Sequence, residues 1–350
     1  MDPSDPLAEL ITTYNELNAS VVEELIEEPS PLEFMRYVSR NTPFVVREGA
    51  RDWPATKKWT ATYLREALSG HKVNVAVTPF GNADAPTMAE DGELVFAKPH
   101  EEDQPFEDFL AYLRRQELDP SFRGDEEVRY AQTRTSQEQY EQTDAATGEI
   151  EHPADSVLEN DNLRHEYASL FSEVQKSVAF ARVALDKEPD AINMWVGNSY
   201  STTALHKDNY ENVYVQVAGR KHFTLLPPLC QPCVNERELA PASYVRDGDG
   251  GTGELRLRRE EGGDPVPFAI WDPELPGRRS TKYSHLARPL EVTLDPGDML
   301  YLPAMWYHKV SQSCFEDGIC VAVNYWYDME FSGPLYPLCS FVRNVQHNSK

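Results

Sequence analysis

From Ile192 onward the chain is a succession of short β-prone segments without helical spacing between them, and this feature most limits the folds it can adopt. The segments are rich in β-branched and aromatic residues, and turn sequences such as 218–220 and 295–298 separate them. Short strands that follow one another without crossover helices predict an antiparallel sandwich or barrel. We predict strands at 192–196, 210–217, 221–226, 290–294, 299–302, 306–311 and 319–327.

The N-terminal third has a mixed pattern. Apolar residues at helical spacing predict one or two helices within 5–26 and further helices within 31–40, 59–69, 106–116 and 163–185. Segments 43–47 and 72–78 are typical of strands. We therefore expect a mainly β fold with flanking helices. Its parts are a helical and mixed α/β region at 1–125 and a β domain at 126–350, with an acidic loop at 136–162 and a surface insertion at 247–263.

Charge and composition exclude several classes of protein. Lys and Arg number 33 against 58 Asp and Glu, which gives a net charge of −25, and such a surface repels the phosphates of nucleic acids. The charge would attract a basic peptide, although it also suits an ordinary solvated surface. We find no apolar run long enough to span a membrane and no secretory signal, so we expect a cytoplasmic location, with the nucleus as a further one.

The five cysteines form an odd and sparse set, which suits a reducing compartment better than a disulfide framework. Cys230 and Cys233 have the spacing of half a zinc site, but no second pair of this kind exists in the sequence. Ordinary thiols are therefore the simpler interpretation of this pair.

A candidate metal centre begins with His206 and Asp208. In an extended chain, residues two apart project to the same face, so an imidazole and a carboxylate would point together into a barrel. His308, at the end of a Trp-Tyr-His sequence on a later strand, offers a third ligand. Two histidines and one carboxylate leave open positions on a metal, as in non-haem iron(II) oxygenases. The His-x-Asp spacing alone is weak evidence for a metal site. The residues around it determine how strongly it supports one.

The neighbours of this pair strengthen the interpretation. Lys221 lies in the strand after a hairpin turn, where it could face inward across from His206 and Asp208. An inward lysine in a β core is costly without an anionic partner, and a bound dicarboxylate co-substrate would be one. Tyr214 and Thr203 offer hydroxyl groups nearby in the sequence. The conjunction favours an iron centre that binds a dicarboxylate.

Other conspicuous residues are interpreted as structural. We expect His222 on the opposite face of its strand from Lys221, and Asn212 fits either a turn or the orientation of a metal ligand. Core packing is the expected role of Trp53, Trp59, Trp326, Tyr325 and Tyr327.

The motifs around these residues resemble the jumonji C (JmjC) family. Segments 195–228 and 297–328 look like a JmjC domain. Segments 205–212, 75–79 with 83–85, and 323–330 are similar to the subfamily of JmjC domain-containing protein 7. The similarity runs from about residue 29 to about residue 341. The chain departs from the pattern at 136–162 and 247–263, where substrate-facing loops could lie, so the departures bear on partner choice more than on chemistry.

The resemblance implies a double-stranded β-helix (jelly-roll or cupin) core and dependence on iron(II), 2-oxoglutarate and dioxygen. It also implies hydroxylation of a protein lysine at C3, with GTPases of the developmentally regulated GTP-binding class as substrates, and homodimers to which segment 331–341 could contribute. By position, the metal ligands are His206, Asp208 and His308. The groups matched to the 2-oxoglutarate pocket are Lys221, Tyr214 and Thr203, with Tyr130 and Asn324 as further candidates.

Three alternatives stay open at the level of sequence. The same iron centre could demethylate a histone lysine or arginine, since only the placement of the substrate differs. A peptidase would need a metal-bound water and a general base, and the sequence lacks a His-Glu-x-x-His stretch. A cupin shell without catalysis would be a binding module, although all three ligand positions and Lys221 are present.

Overall fold

The computed structural model describes residues 5–122, 126–132, 161–247 and 253–348. The N-terminal strands are β1 (Glu23–Leu25), β2 (Phe44–Val46), β3 (Lys72–Thr78), β4 (Ala85–Met88), β5 (Leu94–Lys98), β6 (His100–Pro105) and β7 (Val128–Tyr130). The following strands are β8 (Ala191–Gly197), β9 (Thr203–His206), β10 (Tyr210–Ala218), β11 (Arg220–Leu226), β12 (Glu236–Arg246), β13 (Leu255–Arg259), β14 (Val266–Ala269), β15 (Leu290–Leu294), β16 (Met299–Leu302), β17 (Tyr307–Ser313) and β18 (Cys320–Asp328). The α-helices are Pro6–Leu17, Pro31–Arg40, Pro54–Lys58, Ala61–Ala67, Phe106–Leu118, Asn162–His165, Ala179–Leu185 and Leu335–Asn348.

Two sheets form the centre of the fold. The larger has six strands in the order β1-β2-β16-β10-β18-β8, and the smaller has four in the order β15-β11-β17-β9. Residues of both sheets, such as Tyr214, Leu300, Phe223 and Val292, share one buried cluster, so the sheets pack face to face. This mainly β architecture with flanking helices agrees with the cupin or jelly-roll core that the family resemblance implies.

Side chains along β10 alternate between the two faces of the larger sheet, so this strand contacts two layers of the fold. Val213, Val215 and Val217 lie in the cluster on the helix-covered face, whereas Tyr214 lies in the cluster between the sheets. Side chains that are two apart share a face of a strand, so the same strand supports the helical layer and lines the interior. The division of the chain at residue 125 stays a prediction.

The helix Pro31–Arg40 shows how local sequence positions the core. Ser30 accepts a hydrogen bond from the Glu33 amide at 3.3 Å, and the Glu33 carboxylate accepts one from the Ser30 amide at 2.9 Å, which forms a capping box. Asn41 ends the helix in the left-handed conformation, with φ of 49°. Its carbonyl accepts a hydrogen bond from the Trp306 indole at 2.9 Å, which ties this helix to the residue that precedes β17.

Strand β8 is an edge of the six-stranded sheet, and its outward backbone groups are already bonded. The Asp161 carboxylate accepts from the Ile192 amide at 2.7 Å, and the Asn162 side chain bonds both the amide and the carbonyl of Met194, at 2.7 and 3.0 Å. Ala131 exchanges two backbone hydrogen bonds with Val196, at 2.9 and 3.0 Å. Side chains thus make most of the backbone hydrogen bonds that a neighbouring strand would otherwise make with β8.

Two helix predictions are wrong in part. The helix predicted within 5–26 ends at Leu17, and Glu23–Leu25 instead pairs in parallel with β2, because Asn18 turns the chain into the extended conformation. The helix predicted at 163–185 is broken into three short pieces. The buried Glu173 carboxylate in its middle accepts hydrogen bonds from Trp59 and Tyr63, and these tertiary contacts override the helical spacing.

The two polar stretches lie largely beyond what the structure describes. Of the predicted acidic loop 136–162, only Asp161 and Asn162 are described. In the predicted insertion 247–263, residues 248–252 lie outside the described ranges. Leu255–Arg259 forms β13, a largely exposed strand that pairs with β12, and the prediction of a surface insertion at 247–263 stays a prediction. The sequence also gave no indication of the sheet β13-β12-β5-β4 or of strands β6 and β7.

Cys230 and Cys233 are buried thiols at the 3-10 helix Pro228–Cys233, packed among apolar residues that include Leu7 and Ile11. Within the described ranges, no further residues of metal-binding type complete a metal site around them. In the same ranges, no helix combines the length and apolar character needed to cross a lipid bilayer.

Candidate active site

Pairing of two strands brings two histidines together. In the register of β9 and β17, His206 lies directly opposite His308, so both side chains project from the same face of the smaller sheet. Their ring centroids are 4.1 Å apart. Asp208 follows β9 in a turn whose position is fixed by a hydrogen bond from the Met305 amide to the Asp208 carbonyl at 2.7 Å.

The potential ligand atoms converge. Oδ2 of Asp208 lies 3.8 Å from Nε2 of His206 and 3.6 Å from Nε2 of His308. The candidate ligand atoms of these three residues all lie within 4.8 Å of one another. Among the residues that the structure describes, these three are the group of His, Cys, Asp or Glu side chains that could hold a metal ion.

Hydrogen bonds leave the correct ring nitrogens for a metal. Nδ1 of His206 lies 2.8 Å from the Ala204 carbonyl, and Nδ1 of His308 lies 3.0 Å from the Trp306 carbonyl. Because a carbonyl only accepts, each Nδ1 carries a proton, and in the neutral form of each ring Nε2 then keeps its lone pair. Burial, followed by the proximity of His206, lowers the pKa of His308 to about 4, so this ring is neutral at pH 7. The donor set fits a divalent transition metal such as iron(II).

Lys221 is a buried cation on β11, with only 2% of its surface exposed. Its Nζ donates to the Tyr130 hydroxyl at 2.8 Å and lies 5.1 Å and 6.0 Å from the ring centres of Tyr130 and Tyr214. Burial raises the pKa of both tyrosines, so both are neutral phenols. In the described part of the chain, no carboxylate lies within ion-pair distance of this Nζ, and such an ammonium is suited to a bound anion.

One cavity joins the metal-type cluster to Lys221. Its lining contains all eight candidate residues, namely Thr203, His206, Asp208, Tyr214, Lys221, His308, Tyr130 and Asn324. Asn324 accepts a hydrogen bond from the Trp195 indole at 2.8 Å and donates one to Asn212 at 3.2 Å. The individual roles of these residues stay predictions. His222 lies outside the cavity lining and contacts Thr293 and Ser313, as expected for the opposite face.

Gly197 makes room for the Tyr130 side chain. A Cβ at this position would overlap the Tyr130 ring and would lie 2.6 Å from Nε2 of Gln312. Gln312 lies opposite Lys221 in the register of β11 and β17 and donates to the Asn198 carbonyl at 2.6 Å. A side chain at residue 197 would therefore displace the hydroxyl that Lys221 contacts.

Several cavity residues were missed by sequence reasoning. Asp84, Gln132 and Gln312 line the cavity without a role predicted for them from the sequence, although Asp84 lies within the family-like segment 83–85. Trp326 is buried and stacks on Tyr210 at 4.8 Å between ring centres, which agrees with the packing role expected for it, yet it also lines the cavity. The position of Trp326 in the cavity lining could not be predicted from the sequence. A residue that packs in the core and one that lines a cavity give the same apolar pattern.

Comparison with known proteins gives consistent matches. A family model described as a cupin-like domain matches residues 29–333. A human protein named bifunctional peptidase and (3S)-lysyl hydroxylase JMJD7 is 36% identical over 89% of this chain and 85% of its own length. Lysine-specific demethylase JMJ32 of Arabidopsis thaliana is 33% identical, over 94% and 87% respectively. JmjC domain-containing protein E of Dictyostelium discoideum is 30% identical, over 93% and 89%.

Proposed function

Because the chain belongs to the cupin-like JmjC family of 2-oxoglutarate-dependent oxygenases, we propose that it is an iron(II)- and 2-oxoglutarate-dependent protein lysyl C3-hydroxylase. The observation that carries this proposal is the single cavity in which the His206, Asp208 and His308 cluster shares a lining with the buried Lys221 ammonium. A metal site and an anion site in one cavity are what a metal-chelating dicarboxylate requires.

Different residues of the chain would bind the metal and the 2-oxoglutarate. His206, Asp208 and His308 would hold the metal, and Lys221 would pair with the far carboxylate of 2-oxoglutarate through a charge-assisted hydrogen bond. The hydroxyls of Tyr130, Tyr214 and Thr203 line the same space, while apolar neighbours such as Phe223 exclude water. When bound, ferrous iron supplies the redox chemistry by which dioxygen, 2-oxoglutarate and a substrate C–H group become succinate, carbon dioxide and an alcohol.

The substrate in this proposal is a lysine of a protein, specifically of a GTPase of the developmentally regulated GTP-binding class. The human relative is named as a lysyl hydroxylase, and the net charge of −25 favours approach of a basic segment. The proposal includes a homodimer and a location in the cytoplasm and nucleus.

Demethylation is the second candidate function. It is favoured by the name of the Arabidopsis thaliana relative, a lysine-specific demethylase that is 33% identical to this chain. The human relative's name also includes a peptidase activity. The peptidase remains the weaker candidate here, because three protein ligands and a buried ammonium suit an anionic co-substrate better than a water nucleophile alone.

The experiment measures succinate from purified protein with iron(II), 2-oxoglutarate and oxygen. A lysine-bearing GTPase fragment and a methylated histone-tail peptide are compared, and both are analysed by mass spectrometry. One added oxygen on a GTPase lysine supports hydroxylation at that residue, and fragmentation locates it at C3. Loss of a methyl group from the histone peptide alone would replace the proposal by demethylation, and a cleaved peptide bond would replace it by proteolysis.

Two variants test the metal site in the same assay. His206→Ala and Asp208→Ala should reduce succinate formation to background, since each removes a ligand. His222→Ala is the matched control, because His222 contacts Thr293 and Ser313 on the opposite side of its strand. Full turnover in either ligand variant would disprove the assignment of the triad.

A further inference from the structure

Trp326 of β18 carries a buried indole N–H group, and the described residues provide no hydrogen-bond acceptor for it. Its side chain lines the cavity that holds the His206, Asp208 and His308 cluster, and only 5% of the residue is exposed. A buried donor without an acceptor is costly, and folded proteins rarely leave one unpaired. Among the described lining residues with an unpaired polar side-chain atom, Trp326 is the one that can only donate.

Other tryptophans of this chain show that the fold normally pairs the indole N–H. Four of them donate to acceptors within the protein, at 2.7 to 3.2 Å: Trp59 to Glu173, Trp195 to Asn324, Trp271 to Pro276 and Trp306 to Asn41. The acceptors at Pro276 and Asn41 are backbone carbonyls, which are ordinary partners of an indole. Trp326 departs from this pattern at the wall of the cavity.

The ring of Trp326 is fixed in place by its neighbours. It stacks on Tyr210 with 4.8 Å between ring centres and 5° between ring planes, and Trp195 packs edge-on against it at 6.5 Å. Within the larger sheet, Trp326 lies between Asn212 of β10 and Ala191 of β8. The indole cannot turn towards another acceptor without losing this packing. An acceptor therefore has to be brought to it by a bound molecule.

The same contacts hold the indole close to the metal-type cluster. Tyr210, on which the ring stacks, follows Asp208 by two residues. The Met329 amide donates to the carbonyl of Asn209, which lies between these two residues, at 3.0 Å. The end of β18 is thereby tied to the turn that carries Asp208. A group that accepts a hydrogen bond from Trp326 would therefore lie on the metal side of the cavity.

A lysine substrate offers hydrogen-bond acceptors only through its backbone. Its side chain ends in an ammonium group, which donates and does not accept, and an indole N–H is likewise only a donor. The acceptors that remain are peptide carbonyls. C3 of lysine is bonded to Cα, so the carbonyl oxygen of the same residue is three bonds from the carbon that is hydroxylated. A donor near the metal is thus suited to the backbone of a residue whose C3 lies at the metal.

We propose that the indole N–H of Trp326 donates a hydrogen bond to a backbone carbonyl of the bound substrate and so positions C3 of the target lysine at the metal. This inference rests on the proposed function, which supplies the metal and the lysine substrate. It also bears on the choice between reactions. A methyl carbon on the lysine nitrogen is eight bonds from the carbonyl oxygen, so a substrate placed for demethylation would keep its own carbonyl away from the indole.

The test observes the indole directly and does not depend on turnover. Protein with ¹⁵N-labelled tryptophan is loaded with 2-oxoglutarate and with zinc(II), which has no redox chemistry. Loss of one indole resonance in Trp326→Phe assigns the signal in the NMR spectrum. The probe is Nα-acetyl-lysine methylamide, and its counterpart is pentylamine, which reproduces the side chain without backbone carbonyls. The N–H proton of Trp326 should shift downfield with the lysine probe and should stay in place with pentylamine.

Two changes at Trp326 measure how much the donor contributes to binding. Trp326→Phe and replacement of Trp326 by 3-benzothienylalanine, which has nearly the shape of tryptophan without the N–H, should each weaken the lysine probe about 3- to 10-fold. Thermal unfolding compares the folding of both with the wild type. Trp271→Phe is the matched control, because Trp271 is also buried but lies outside the cavity lining and already donates to Pro276. It should leave the affinity for the probe unchanged.

A Trp326 resonance that stays in place with the lysine probe would overturn the inference. A full shift with 2-oxoglutarate alone would overturn it too, because the donor would then belong to the co-substrate. Full affinity of the 3-benzothienylalanine protein would also contradict it. The outcome is separate from that of the proposed function. Hydroxylation at C3 with an unmoved indole would refute the role of Trp326 alone, whereas a moved indole without iron-dependent succinate would refute the hydroxylase and still support carbonyl binding at Trp326.

Discussion

The ammonium of Lys221 lies against the Tyr130 hydroxyl and two aromatic ring faces in the interior of the fold. Removing an ammonium from water is costly, and neutral partners offset only part of that cost. An anionic co-substrate would provide the larger stabilisation. The buried position of Lys221 therefore suits a protein that binds such an anion.

Lys221→Met should weaken 2-oxoglutarate binding by about 10- to 100-fold, the effect of losing one charge-assisted hydrogen bond. The measurement is calorimetric titration of the manganese(II)-loaded protein. Lys309→Met is the matched control, because Lys309 is also a buried lysine but pairs with Asp272 at 2.8 Å and Glu274 at 2.6 Å. Equal losses of affinity in the two variants would contradict a specific role for Lys221.

The roles of some individual residues can be predicted from the sequence and those of others cannot, and the difference has a physical reason. Lys221 could be predicted because a charged residue within an apolar strand has an energetic cost that the sequence itself reveals. Asp84 could not, because polar residues in turns are common. Its carboxylate accepts a hydrogen bond from Gln132, and Thr202 bonds Gly81 three residues before it, so its place in the cavity depends on residues that are distant in the chain.

Strand β9 shows that the prediction of secondary-structure elements from the sequence has the same limit. The spacing of His206 and Asp208 predicts that both project from one face of a continuous strand. In the structure β9 ends at His206, its pairing with β17 is irregular, and Asp208 reaches the cluster from the turn that follows. The ligand pair could therefore be predicted, but its local conformation could not, since the turn depends on a bond from Met305.

Arg246 connects three elements around the segment that carries Tyr130. This mostly buried guanidinium contacts Glu102 of β6 at 2.5 Å and Glu127, just before β7, at 2.6 Å. Arg246→Met should lower the free energy of unfolding by about 1–3 kcal/mol, because two carboxylates lose their partner. Urea denaturation measures the loss. Arg51→Met is the control, since the Arg51–Glu48 pair is exposed and should change stability little.

The Arg246 contribution should depend on pH in a defined direction. Burial raises the pKa of Glu102, but hydrogen bonds from Arg246 and Gln104 outweigh this and hold the pKa below its ordinary value of 4.5. A depressed pKa means that the ionised form stabilises the folded state. The stability difference between wild type and Arg246→Met should be full above pH 4.5 and should shrink as the pH falls below it. A difference that grows on acidification would contradict this coupling.

Over the whole molecule, the N-terminal region completes the six-stranded sheet. Phe44 of β2 is fully buried and contacts Phe34, Tyr37 and Tyr301, which belong to the helical layer and to β16. Phe44→Ala should cost about 3–5 kcal/mol in urea denaturation, as expected for a deleted core aromatic. Phe80→Ala is the control, because Phe80 is 73% exposed, and it should change stability by less than about 0.5 kcal/mol.

Net charge is the second property of the whole molecule with a measurable effect. If the charge of −25 attracts a basic substrate, raising the salt concentration should raise the KM for a lysine-rich peptide, because ions screen the attraction. Turnover at saturating peptide should change less than KM. A KM that stays constant up to about 0.5 M salt would show that the acidity serves the surface alone.

The bonded edge of β8 bears on how copies of this protein can associate. An uncovered edge strand offers a ladder onto which a second chain can add, and such pairing is a common start of aggregation. At Ile192, Met194 and Val196 the ladder positions are already filled by Asp161, Asn162 and Ala131. Continuous strand addition across two molecules is therefore blocked on this side. If the protein forms the proposed homodimer, addition of a strand at these three positions of β8 is not available to it.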